Sequence, residues 1–134
     1  RQEPKSTRCD GQGIVYNRIM PKLIMFTRTM SCSDQVAARS CLAALNVQPI
    51  ERNISTDMDA AETLIDWVGS LAVPTLAVID ELDQPIVPPR PLQPGQRTRN
   101  TDRGSLISEP SCESLQAFLL KHGFITDHDH TSYN

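Results

Sequence analysis

No apolar run in the sequence approaches the ~20 residues that a membrane span needs, and no secretory signal pattern is visible in it. A basic excess is missing too. The formal net charge is -3, which argues against general nucleic-acid binding, because that needs a strong positive patch. There is no C-x-x-C spacing from which to build a zinc site. What remains is ordinary: 39% hydrophobic and 22% charged residues in a chain of 134, enough for one core and not for two. The four cysteines, Cys9, Cys32, Cys41 and Cys112, are widely scattered. With an adequate core and no dense cysteine framework, reduced thiols in a cytoplasmic setting are the expectation.

One stretch is chemically loaded. Leu23-Ile-Met-Phe26 is an apolar run, Cys32 follows six residues later, and a helical pattern starts at Ser33. A thiol where a buried strand hands over to a helix meets the free N–H groups and the positive end of that helix. Both favour a thiolate over a thiol. Cys32 is therefore the candidate nucleophile. Asp34, two residues on, works against the thiolate by its like charge.

Taken in order, residues 1–20 read as a polar arm in which Gly13-Ile-Val-Tyr16 is a candidate extra strand. Lys22 to Thr27 is predicted as the first strand, covered on both faces. Ser33 to Asn46 is a helix, with Val36, Ala37, Ser40, Cys41, Ala44 and Leu45 at helical spacing. Val47 to Ile54 is a second strand. Ser55-Thr-Asp57 supplies caps for a helix over roughly 59–68, whose stripe is Leu64, Ile65 and Val68 and whose stop is Gly69. Val73 to Ile79 forms a third strand with Pro74 near its start. Glu81 to Gln84 is a turn, and Pro85-Ile-Val87 a short return strand.

A Pro/Arg-rich segment at about 88–107 reads as an exposed loop inserted after that fourth strand. Its four arginines from Arg90 to Arg103 are most simply solvated. Ser111 to Gly123 is the last helix, with Leu115, Phe118 and Leu119 inward, and 126–134 is a polar tail. Trp67 reads as packing at the end of the second helix. His122, His128 and His130 with Asp127 and Asp129 read as part of an acidic end rather than a metal site. The resulting order, βαβαββα, implies an α/β domain over 21–125: a mixed four-stranded sheet with helices on both faces.

Two motifs in this order resemble the glutaredoxin branch of the thioredoxin-fold family. Strand–Cys32-Ser-Asp-Gln35–helix stands where the family has C-x-x-C or C-x-x-S. Val73-Pro74-Thr75 stands where it has a cis-proline loop, about forty residues on. The resemblance implies a thioredoxin-like fold with Cys32 as nucleophile, a cis Pro74 facing it, and the backbone of Val73 pairing with substrate. Pro110-Ser-Cys112-Glu113 stands at the place where the family's last helix holds the glutathione carboxylate. It keeps the Cys and the acid but has lost both glycines. Arg28 stands for the family's basic residue before the active cysteine, one residue further away than usual.

Gln35 replaces the resolving cysteine, so the chemistry implied is monothiol exchange, with glutathione or a protein thiol as partner and no tightly bound cofactor. Cys41 is an unfavourable partner for Cys32. Nine helical residues rotate roughly 180° beyond whole turns and rise roughly 13 Å, outside disulfide range. It reads as a core thiol. By the resemblance, Cys112 is the candidate resolving residue. The alternative is a non-catalytic interaction or regulatory domain with a degenerate site. Iron–sulfur ligation is disfavoured, because Ser33-Asp34-Gln35 does not match the Gly-Phe-Ser that follows the cysteine in such relatives.

Overall fold

A computed structural model describes residues 20–126. The chain runs β1 (Lys22–Thr27), α1 (Ser33–Ala44), β2 (Ile50–Asn53), α2 (Met58–Val68), β3 (Thr75–Ile79), β4 (Leu106–Ser108) and α3 (Cys112–Lys121). The strands form one sheet in the order β2-β1-β3-β4. β1 pairs parallel with β2 and antiparallel with β3, and β4 closes the far edge antiparallel to β3. This is an α/β architecture of thioredoxin-like type.

The two central strands explain the two layers of helix. Five of six residues in β1 and all five in β3 are buried, as expected where both faces of a sheet are covered. On one face, Leu23, Met25, Leu76 and Val78 pack against Ala38 and Leu42 of α1, the Leu45 that follows it, and Leu115, Phe118 and Leu119 of α3. On the other, Ile24, Phe26, Ala77 and Ile79 meet Ala60, Leu64 and Val68 of α2. Trp67 sets its ring edge-on to Phe26, with centroids 5.7 Å apart, a pairing that adds about 0.5–1.5 kcal/mol to burial alone.

The caps follow the local signals. Asp57 accepts from the Ala60 N–H at the start of α2, and Ser111 accepts from Ser114 N–H at the start of α3. Gly69 closes α2 at φ 97, a left-handed position that a side chain would strain. Asn46 follows α1 at φ 60, a conformation asparagine tolerates better than most residues.

Three expectations are corrected. The fourth strand is Leu106–Ser108, not 85–87, so the Pro/Arg segment lies between β3 and β4 rather than after β4. Pro85 makes only an isolated bridge to Ile79, beside the Ile86 N–H bond to the Val78 carbonyl. A proline has no N–H to extend a ladder, and the rest of that same β3 edge belongs to β4. The inward face of α1 is rotated from the expected one. Gln35, Ala38, Cys41 and Leu42 are buried, while Val36 is 54% exposed. Consecutive residues sit about 100° apart on a helix, so Gln35 turned inward leaves Val36 in solvent. In α2, Ala60 completes the buried stripe and Ile65 is exposed. The candidate strand at 13–16, His128 and His130 lie outside the described residues.

Candidate functional site

Cys32 is the N-cap residue of α1, in extended backbone (φ -107, ψ 171), and its side chain makes no cap bond. Its carbonyl accepts the first helical bond, from Val36 N–H at 3.1 Å. The sulfur is thus free of helix duty, and the residue is half-buried. Across from it lies the Val73–Pro74 peptide, which is cis. Cys32 Sγ is 3.9 Å from the Val73 carbonyl oxygen, within weak S–H donor reach of it. The proline segment is anchored from behind. Thr75 Oγ1 donates to the Ala72 carbonyl at 2.7 Å and lies 2.6 Å from Ser108 Oγ, and the Glu109 N–H donates to the Pro74 carbonyl at 2.7 Å.

Gln35 occupies the position three residues after the thiol and is fully buried. Its Oε1 accepts from the Arg28 N–H at 3.0 Å, and its Nε2 donates to the Arg28 carbonyl at 3.0 Å and to Ser31 Oγ at 3.1 Å. The side chain therefore ties both ends of the turn that carries Cys32. A buried amide is tolerated because its hydrogen bonds are made. Gln35 is a fastening of the loop rather than a reacting group.

Arg28 turns its Nε onto the Met30 carbonyl, donating at 3.0 Å. A second cation stands at the site. Arg99, from the segment between β3 and β4, grips Asp34 with two hydrogen bonds. Nη2 donates to Oδ1 at 2.8 Å, and Nη1 donates to Oδ2 at closer range. Its Nη1 also lies 3.6 Å from Glu109 Oε2. The guanidinium hydrogen bond holds the Asp34 carboxyl below its usual range, against a smaller upward push from burial. Reciprocally, the Asp34 contact raises the pKa of Arg99, and the charge of Cys32 acts in the same direction.

The remaining site residues are dispersed in role. Glu113 is exposed in the first turn of α3. Cys112, expected as a resolving partner for Cys32, is instead joined to Cys41, with Cα atoms 5.7 Å apart. This corrects both the resolving role and the picture of free thiols throughout. α1 and α3 lie side by side on one face of the sheet, and that packing brings the two cysteines together. Among the three described cysteines only Cys32 is free. The α3 N-terminus is also partly engaged, since the Ser111 N–H donates to Asn100 Oδ1 at 2.8 Å. Among the described residues no group of His, Cys, Asp or Glu side chains is arranged to hold a metal ion.

The sequence reading missed Arg99 and Asn100, and the fastening by Gln35. An acid two residues from a candidate thiol was itself a signal, because such a charge invites a cationic partner, and four arginines stood in one segment.

Residues 23–82 match the family model described as Glutaredoxin. The match runs from β1 past the end of β3 and includes Cys32 and Pro74. It stops before Arg99, β4 and α3. No curated protein and no solved structure matches the chain. A match to that family points to thiol–disulfide redox chemistry in general. No helix among the described residues is long and apolar enough to cross a membrane.

Proposed function

We propose that this glutaredoxin-like protein carries out monothiol exchange through Cys32, with glutathione or a protein mixed disulfide as partner. One observation carries the reading. Cys32 is a half-buried free thiol at a helix N-terminus, opposite a cis proline, with no second described thiol to close on. Cys32 Sγ attacks the glutathionyl sulfur of a mixed disulfide. A Cys32–glutathione bond forms as the old S–S bond breaks, and the departing thiolate takes a proton from water. A second glutathione thiolate then attacks, which releases glutathione disulfide and restores Cys32. Val73 and Pro74 frame the incoming sulfur, and the first turn of α3, with Glu113, borders the same face in the family arrangement.

The closed Cys41–Cys112 bridge favours an oxidising setting over the cytoplasmic one that free thiols suggest. A second reading is a non-catalytic interaction domain of the same shape. Asp34 beside the sulfur and the Asn100 contact at α3, where the family has open glycine backbone, favour it. Turnover of a glutathionylated peptide separates the two. The wild-type chain is expected to release the peptide thiol and Cys32→Ser to lose that activity; equal rates for both remove Cys32 from the chemistry.

A further inference from the structure

The segment between β3 and β4 is a structured insert whose arginines do different work. Arg90 and Arg103 hold it shut: Arg90 Nη2 donates to the Asp102 carbonyl at 2.8 Å, and Arg103 Nε to the Arg90 carbonyl at 2.7 Å. Arg103 Nη1 adds a bond to the Val68 carbonyl at the end of α2, at 3.2 Å. Arg99 is the one that reaches the first turn of α1.

We propose that Arg99 is a positioning residue for Cys32, delivered by the insert to clamp the Asp34 carboxylate and cancel its charge at the sulfur. The inference rests on Cys32 being the nucleophile. An unpaired carboxylate two residues from the thiol would oppose the negative charge that the attacking sulfur must carry. The fork of a guanidinium matches both oxygens of a carboxylate at once, and Arg99 meets Asp34 in that way. Its backbone is set by tertiary contacts. Arg99 forms a parallel bridge with Ser108, and the next N–H, of Asn100, donates to the Ser108 carbonyl at 2.7 Å. Asn100, at φ 62, then ties its side chain to the start of α3.

The charged groups around the thiol are Asp34 on α1, Arg28 in the β1–α1 turn, Arg99 on the insert and Glu109 after β4. Arg28 is turned onto the Met30 carbonyl. Arg99 therefore serves both carboxylates. It lies near enough for its charge and that of Cys32 to interact. The family match ends at residue 82, so this cation is supplied from outside the matched span.

The test is alkylation of the full chain by iodoacetamide, a neutral reagent, followed at the Cys32 peptide by mass spectrometry across pH. Arg99→Ala is expected to slow Cys32 labelling at neutral pH by roughly two- to fivefold, as suits a partly screened neighbouring charge, and to move the profile to higher pH. Asp34→Asn in the same chain is expected to restore most of the wild-type rate and profile, because it removes the nearer of the two carboxylates that Arg99 meets. Unchanged labelling in Arg99→Ala overturns the proposal. So does a double variant as slow as Arg99→Ala, which would mean that Arg99 acts only by shaping the insert. Peptide turnover measured alongside keeps the two readings apart: no turnover, with the labelling pattern intact, removes the enzymatic role and leaves the charge pairing standing.

Discussion

Replacing Cys41 with Ala and Cys112 with Ser together cuts the covalent link between α1 and α3, and its cost can be worked from the topology. The bridge spans a sequence separation of 71. For a loop of that length, the entropy removed from the unfolded chain corresponds to about 4 kcal/mol at room temperature in the chain-entropy account. Residual structure in the unfolded state trims that figure. A domain of this size shifts by about 3–5 °C per kcal/mol, so the melting temperature is expected to fall by roughly 12–20 °C. The assay is thermal unfolding followed by far-ultraviolet circular dichroism, with and without reductant. Wild-type protein in reductant should melt with the double variant, and the variant itself should ignore reductant. The reasoning is refuted if mass spectrometry shows wild-type Cys41 and Cys112 reduced and alkylated while the melting temperature stays within a few degrees of the oxidised protein.

Two further outcomes follow from the site and from α3. Gln35→Ala removes three hydrogen bonds and leaves a void behind the Cys32 turn; urea unfolding is expected to show a loss of about 2–4 kcal/mol, and a change within ~0.5 kcal/mol counts against the fastening role. His122 has its pKa lowered chiefly by burial, with the Gly104 carbonyl hydrogen bond opposing. The unfolded chain therefore binds that proton more readily. The contribution to stability is complete above the ordinary histidine value of ~6.5, declines as pH falls through it, and levels off below the native value. Denaturant midpoints from pH 7.5 to 5 should fall less steeply in His122→Gln than in the wild type; parallel curves would assign the slope to other groups.

Where the chain could be read, the signals were local. β1 is an apolar run, α2 and α3 carry caps within three residues of their starts, and Leu115, Phe118 and Leu119 recur at helical spacing. Cys32 and Pro74 stood out because each marks the join between neighbouring elements. The phase of α1 was not legible. That helix is itself rich in small residues, and a buried Gln35 is acceptable only when Arg28 and Ser31 lie within its reach. β4 escaped notice because three residues carry almost no pattern of their own. Their strand character comes from pairing with Thr75 to Ala77.

The amino-acid order alone determined the run of elements from β1 to β3, the caps that start α2 and α3, and a thiol set at the mouth of α1. Those features depend on neighbours a few residues apart, whose encounter needs no further folding. The closed sheet decided the rest: which strand takes the edge of β3, that Cys41 meets Cys112, and that Arg99 meets Asp34 across 65 residues. Partners so distant are joined only once packing has lost the chain its freedom, and no short-range pattern encodes which of many thiols or arginines will arrive.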